Sequence, residues 1–207
     1  MKTSNLLIVF CLFCLVLNAQ ENVRSNKQII LSLFNANSLL PGGGDLWITS
    51  TVVHPGFDLG LGWSFKQKKN SDWFVNAKAG YFYHRLSQHA IQLFGEIGYR
   101  RYFFKNRFHV AGLFGAGYLH AIPDLQVFQI NQNGEYDHST KGSRPQAMIH
   151  LNVVPSYTLS WKNKFSFDVF LGYRFMIQTP FAKNYIPLLP YTSFHVGIAV
   201  NINSQNN

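Results

Sequence analysis

Large apolar residues alternate with small or polar residues along most segments of this chain. In the stretch GFDLGLGWSF, residues 56–65, the odd positions are Phe, Leu, Leu, Trp and Phe, and the even positions are Gly, Asp, Gly, Gly and Ser. Because successive side chains of a strand point to opposite faces, this period of two predicts a β-strand with one bulky face and one small or polar face. The bulky face has to be covered either by a protein core, as in a soluble sandwich, or by lipid, as in a membrane barrel.

The same alternation recurs along the chain, and the sequence predicts eight strands. Beyond the first 20 residues, no apolar run approaches the roughly 20 residues that a membrane helix needs, so a membrane-spanning form of this chain would have to use strands. In two of the segments, 27–35 and 107–121, the alternation leaves the facing of the strand open. The predicted strands lie near residues 27–35, 56–67, 72–85, 89–104, 107–121, 146–161, 165–178 and 192–202.

Short polar turns alternate with mostly longer links between these strands. The short turns are KQKKNS, KNR and KNK, whereas the links at 35–55, 122–145 and 179–191 are long. An up-and-down barrel with both chain ends in the periplasm has short turns inside and longer loops outside, and a soluble barrel has no reason to keep this rhythm. The predicted fold class is therefore all-β, a closed eight-stranded antiparallel up-and-down transmembrane β-barrel.

Aromatic residues collect at the strand ends beside the short turns. Trp63, Trp73, Tyr99 and Trp161 are at such positions. Aromatic side chains of membrane barrels form girdles at the level of the lipid head groups. We expect these four residues to be interfacial.

The first residues have the layout of a secretory signal peptide. Lys2 precedes an apolar run at 6–17, and Ala19 is a small residue suited to a cleavage site, so we expect export by the Sec route, a leader at 1–19 and a barrel domain at 20–207. Cys11 and Cys14 are the chain's only cysteines and both lie in the leader, which excludes disulfides and thiolate metal sites from the remainder. The histidines are dispersed, and we expect no metal and no cofactor.

The chain is basic, with a formal net charge of +9. This favours contact with anionic lipid head groups, and the sequence has no Lys/Arg cluster, zinc-finger spacing or RNA-binding aromatic motif. We therefore expect outer-membrane lipid and lipopolysaccharide as partners, and no nucleic acid.

Several segments rich in glycine and tyrosine carry a family resemblance: HPGFDLGLGWSF, AGYFYH, EIGYRRYF, GAGYLH and FLGYRF. Over nearly the whole length after the leader, the chain resembles the small eight-stranded outer-membrane β-barrel proteins, the OmpA/OmpX-like class, which includes uncharacterised outer membrane beta-barrel proteins. The resemblance implies a location in the bacterial outer membrane of a Gram-negative envelope and insertion by the barrel assembly machinery. The chain departs from many such barrels in ending VNINSQNN, without a terminal aromatic residue.

With the bulky rows on lipid, charged residues fall on the inner face of the strands. Lys78 is expected beside Glu96, and Asp58 is expected to pair with Arg174 or Lys78. An eight-stranded barrel is only wide enough for side chains to fill, so we expect a closed interior and no open pore. The interior charges predicted in this way are Asp58, Lys66, Lys78, Glu96, Arg100, Asp168 and Arg174.

Two functional hypotheses follow. The first is a structural or surface-interaction role in the envelope, with an extracellular partner at loop 122–145, where the NG pair at 133–134 predicts a hairpin turn. The alternative is a lipid A-remodelling enzyme of the deacylase or acyltransferase type in the outer leaflet, which would need a histidine base beside a serine or a carboxylate. No catalytic motif matches, and the candidates are His120, His138 and Ser139.

Overall fold

A computed structural model describes most of the chain after the leader, and all of its regular structure is β. It describes residues 27–38, 53–85, 87–104, 107–124, 128–130, 136–138, 143–161, 165–181 and 187–202. The predicted leader lies outside these residues. The strands are β1 (Lys27–Ser38), β2 (Pro55–Lys68), β3 (Ser71–His84), β4 (Gln88–Phe103), β5 (Phe108–Pro123), β6 (Phe128–Ile130), β7 (Tyr136–His138), β8 (Arg144–Trp161), β9 (Phe165–Thr179) and β10 (Leu189–Ile202).

Eight of these strands close into one antiparallel barrel in the order β1-β10-β9-β8-β5-β4-β3-β2. Closure is made between the first and last strands, where Ile29 lies opposite Val200 and Phe34 lies opposite His195. The predicted fold class is confirmed, and the predicted strand bounds agree with the observed ones to within a few residues. Among the described residues, no helix is long and apolar enough to cross a membrane.

The two ends of the barrel differ. One end has the first residue of β1, the last residue of β10 and the short connections, and we call it the periplasmic end because short turns face the periplasm in such barrels. The opposite end has the three long connections together with the short β3–β4 turn, and we call it the outer end. There, β6 and β7 pair as a separate two-stranded sheet between β5 and β8. The NG turn predicted at 133–134 lies outside the described residues.

The alternation in the sequence becomes an alternation of burial. In β2, Leu59 is 54% exposed on the outside, whereas Asp58 beside it is fully buried. In β1, whose facing the sequence left open, Leu33 faces out and Phe34 faces in. The belt around the barrel is therefore made of large apolar side chains, as a surface in contact with lipid requires.

Lys66 is the one predicted interior charge that the structure places elsewhere. The pairing of β2 with β3 shifts between Ser64 and Lys66, and Lys66 is exposed. A bulge adds one residue to a strand, so the even positions beyond it no longer share a face with those before it. The expectation for Lys66 was wrong because the alternation does not reveal the bulge.

Candidate functional site

The middle of the barrel interior contains a cluster of paired charges, which we call the central charged layer. Asp58 on β2 accepts a 2.7 Å hydrogen bond from Nη2 of Arg174 on β9. Glu96 on β4 lies 2.8 Å from Nζ of Lys78 on β3, 3.0 Å from Nε2 of His150 on β8 and 3.9 Å from Arg174. A buried charge is costly unless it is paired and hydrogen-bonded, and each carboxylate of this layer has a basic partner.

Glycines on the inner face make room for this layer. A Cβ on Gly80 would collide with Oδ1 of Asp58, and a Cβ on Gly60 would collide with the side chain of Lys78. On β5, a Cβ on Gly115 would collide with the ring of His150. Gly60, Gly80 and Gly115 therefore leave the space that Lys78, Asp58 and His150 occupy.

A second set of polar contacts, the periplasmic charged layer, lies near the periplasmic end. Arg100 is 3.7 Å from Asp72, and its Nη2 donates to Oε1 of Gln28 at 3.1 Å. Asp168 accepts a 2.7 Å hydrogen bond from Oγ1 of Thr158 and lies 3.8 Å from Nε2 of His109. The guanidinium of Arg100 also lies over an aromatic ring of this layer, Phe74, at 4.5 Å.

Between the two charged layers lies a cavity of about 50 Å³. It is lined by polar groups such as Ser32, Asn76 and Asn152 together with apolar groups such as Leu113. Since a water needs about 10–15 Å³ of such space, the cavity has room for about three to five waters. Its lining includes residues of both charged layers, among them Lys78, Arg100 and Asp168.

The outer half of the interior contains both apolar and uncharged polar side chains. Its buried apolar residues form one cluster, the outer apolar plug, and a glutamine cluster lies next to it. Gln88 donates to Gln178 at 2.9 Å, and Gln178 donates to Gln146. The plug consists of Phe34, Ala36, Phe82, Ala90, Phe94, Leu119, Ala121, Met148, Met176, Leu189 and Tyr191.

A different arrangement occupies the lipid-facing side of the outer end. His120 on β5 lies on the outward face, where Tyr118 and Ile122 are also exposed. Its Nδ1 is 2.7 Å from the hydroxyl of Tyr118, and its Nε2 is 2.6 Å from Oγ of Ser143, which immediately precedes β8. A serine, a histidine and a hydroxyl that orients the ring are thus in hydrogen-bond contact.

A second outward-facing histidine lies on the neighbouring strand. Nδ1 of His89 on β4 is 2.7 Å from the hydroxyl of Tyr81, the same contact that Tyr118 makes with His120. Nε2 of His89 is 3.4 Å from Asp124, and Tyr83 donates to that carboxylate at 3.1 Å. This histidine has a carboxylate where His120 has a serine.

At the outer mouth, two more histidines are in contact. The rings of His54 and His84 stack with centroids 3.8 Å apart. His54 precedes β2, outside the spanning segments, and its burial lowers its pKa below the ordinary value. Among the described residues, no group of three or more His, Cys, Asp or Glu is arranged to hold a metal ion.

The structure brings together some of the residues singled out in the sequence and separates others. The six charges Asp58, Lys78, Glu96, Arg100, Asp168 and Arg174 are all inside the barrel, four in the central charged layer and two in the periplasmic one. Among the aromatic residues, Trp73 and Tyr99 are exposed and in ring contact at 5.2 Å, Trp63 is half-buried, and Trp161 ends β8.

The structure pairs one of the three residues proposed for catalysis, His120, with a serine that the sequence analysis did not name. His120 is at the outer rim, where its hydrogen-bonded serine is Ser143, and His138 ends β7. Ser139 lies outside the described residues. Sequence reasoning missed Ser143 because the pairing of β5 with β8 across a long connection cannot be read from the sequence. Once Pro145 is known to lie opposite His120, Ser143 falls within reach.

The fold is that of a small transmembrane β-barrel of the outer-membrane type. Neisserial surface protein A (NspA) has this fold, with a TM-score of 0.50 and 13% identity over 88% of this chain and 100% of that chain. Other similar structures are Ail, the attachment invasion locus protein of Yersinia pestis (TM-score 0.43, 11% identity, 86% of this chain and 97% of that chain), and the outer membrane enzyme PagL (TM-score 0.41, 10% identity, 82% and 97%).

No protein-family model matches the sequence, and no curated protein is significantly similar to it. The shared fold and the apolar belt confirm the predicted class, an eight-stranded outer-membrane barrel. The predicted location, the bacterial outer membrane, agrees with this fold.

Proposed function

We propose that this protein is a sealed, non-conducting outer-membrane barrel with a structural or surface-interaction role in the bacterial envelope. The observation that carries this proposal is the filled interior, in which the outer apolar plug lies above two charged layers. A conducting barrel needs a water-filled path, and here packed Phe, Met and Leu side chains and the hydrogen-bonded glutamines beside them fill the outer half. The partners of such a protein are outer-membrane lipid, lipopolysaccharide and the barrel assembly machinery.

Single-channel recording in planar bilayers tests the seal. The wild-type barrel is expected to insert without steady conductance. A variant that thins the plug, Phe82→Ser with Met176→Ser, is expected to show conductance steps, whereas Leu93→Ser with Leu151→Ser on the outer surface is not. Regular open steps from the wild-type protein would contradict the proposal.

The surface role is proposed for the outer end. The β6–β7 hairpin is a separate sheet of two strands between β5 and β8. An extended segment of a partner protein can pair with an edge of such a sheet and add a strand to it. Replacing residues 125–142 by a short Gly/Ser linker is expected to leave the barrel folded and to abolish binding of cells to an extracellular matrix array. A matched replacement of residues 182–186 is the control, and equal binding by both variants would contradict a role for the hairpin.

A second candidate function, remodelling of outer-leaflet lipid, is favoured by one observation. Ser143 and His120 are in hydrogen-bond contact on the lipid-facing side of the outer end. Mass spectrometry of lipid A from cells with and without the protein tests this function directly. An unchanged acylation pattern would exclude lipid A as the substrate.

A further inference from the structure

We propose that Ser143 and His120 form a nucleophile–base pair that hydrolyses an ester-linked acyl chain of an outer-leaflet lipid, with Tyr118 as the residue that positions the histidine. This inference rests on the second candidate function and names its residues and its substrate class. It stands on the contacts of these three side chains and on their place at the lipid surface.

The hydrogen bonds fix the histidine at both nitrogens. In the tautomer protonated at Nδ1, the ring donates to the hydroxyl oxygen of Tyr118, and Nε2 accepts the hydroxyl proton of Ser143 over 2.6 Å. This is the geometry that a general base needs to take a proton from a nucleophile. At His89 the same tyrosine contact is present, but the other nitrogen faces a carboxylate. Within the described part of the chain, His89 therefore has no serine at its second nitrogen.

The position of the pair selects its substrate. His120 lies on the outward face between two exposed side chains, Tyr118 and Ile122, and its neighbours across the sheet are Ile91 and Pro145. A group here faces the head-group edge of the outer leaflet, the level at which the ester bonds of lipids lie. A serine nucleophile transfers acyl groups, so an ester-linked acyl chain is the substrate class that fits both chemistry and depth.

The surface below the pair can accept the chain that is cut. On β5, Ala116 is the next outward-facing residue from Tyr118 toward the periplasmic end. Gly95 on β4 lies opposite Ala116, and Ala77 on β3 lies opposite Gly95, so three small residues form a row across the sheet. These small residues project little from the outer surface, and Ala77 also lines a groove between large apolar side chains. The residues that edge or floor this groove include Ile29, Leu59, Leu61, Ala79 and Leu93.

The reaction balances with water as the second substrate. Oγ of Ser143 attacks the ester carbonyl while its proton passes to Nε2 of His120, and collapse of the tetrahedral intermediate breaks the ester C–O bond. The leaving alkoxide takes the proton from Nε2, which leaves an alcohol on the lipid and an acyl group on Ser143. Water then attacks the acyl-serine, Nε2 takes its proton and returns it to Oγ, and a free fatty acid is released.

The test uses the full-length protein folded into vesicles that contain either lipopolysaccharide or phospholipid, with mass spectrometry of released fatty acid. The wild type is expected to release fatty acid in at least one of the two arms, and the arm identifies the lipid source. S143A is expected to fall to the background of empty vesicles, and H120A to fall by about 10²–10⁴-fold. The matched control H89A should keep the wild-type rate. Heat-modifiable gel mobility confirms in each case that the barrel is folded.

A fluorophosphonate provides a second readout that does not depend on the choice of lipid. It is expected to label Ser143 in the wild type and in H89A, and to label H120A slowly. Y118F should lower the rate and move the acid limb of the pH–rate profile to lower pH, because the phenolic oxygen no longer accepts from Nδ1; a purely structural role would leave the profile unmoved.

The outcomes separate the site from the function. No labelling and no release from folded wild-type protein would overturn this proposal and leave the sealed barrel untouched. A lipid change in cells that persists in S143A would support remodelling but overturn Ser143 as its nucleophile. Equal loss in H120A and H89A would also overturn the assignment.

Discussion

Removing the Arg174 side chain is the sharpest test of how the barrel interior is held together. The guanidinium bridges Asp58 at 2.7 Å and Glu96 at 3.9 Å, and all three groups are buried. Arg174→Met keeps much of the aliphatic volume and removes the charge. Taking one partner from a buried ion pair costs about 3–5 kcal/mol, because the other charge remains without compensation.

The contacts decide which carboxylate bears this cost. Glu96 keeps Lys78 at 2.8 Å and His150 at 3.0 Å, so its environment changes little. Among the described residues, the other basic side chain within 4 Å of Asp58 is His195, whose Nδ1 is 3.8 Å away. We therefore expect Arg174→Met to lower the free energy of unfolding by about 3–5 kcal/mol, nearly all of it through Asp58.

Urea unfolding of the protein in lipid vesicles, followed by tryptophan fluorescence and gel mobility, measures this difference. Adding Asp58→Asn to Arg174→Met removes the uncompensated charge, and the double variant is expected to recover about half or more of the loss, because a neutral amide is far less costly to bury. A loss below about 1 kcal/mol in Arg174→Met, or no recovery in the double variant, would refute the reasoning.

Three further predictions concern packing, facing and pH. Gly80→Ala places a Cβ against Oδ1 of Asp58 and should cost about 1–3 kcal/mol by the same unfolding assay, whereas Gly112→Ala, which meets nothing within 4 Å, should cost almost nothing. Lys78→Met removes a buried partner of Glu96 and should destabilise the barrel by up to about 3 kcal/mol. Lys66→Met should destabilise it by less than about 0.5 kcal/mol, because the bulge turns Lys66 to the outside; equal losses of stability would contradict this facing of Lys66. Because burial lowers the pKa of His54, stability should be full above the ordinary histidine pKa and fall as the pH drops through it, and His54→Gln should flatten this dependence in unfolding curves between pH 7.5 and 5.

The architecture could be predicted because one physical rule repeats in every strand. A strand with lipid on one side and a crowded interior on the other must alternate, so the sequence shows both the number of strands and, in most of them, which face is bulky. The facing of β1 and β5 could not be predicted, because both faces of each strand contain apolar or glycine residues. In β5 this follows from the interior itself, where Leu113 and Leu119 face inward as Phe114 faces out.

The partners of the interior charges were harder to predict than their presence. Lys78 was expected beside Glu96, and the ion pair forms, but the residue opposite Glu96 in the register is Asn76. Long side chains reach past their cross-strand neighbours. Asp58 was expected to pair with Arg174 or Lys78 and pairs with Arg174, a choice that depends on tilt and stagger that one sequence does not specify. Ser143 escaped notice for a related reason, since it is brought to His120 only by strand pairing across the long outer connection.

The two ends of the barrel interior differ in how easily solvent can exchange with the buried polar side chains. The outer apolar plug shields the charged layers from the outer side, while Arg100 and Asp168 lie near the periplasmic end. Solvent deuterons should therefore reach the interior side chains through the periplasmic end of the barrel. In D₂O, the side-chain protons of the periplasmic charged layer should exchange before those of the central charged layer, which lies between it and the outer apolar plug.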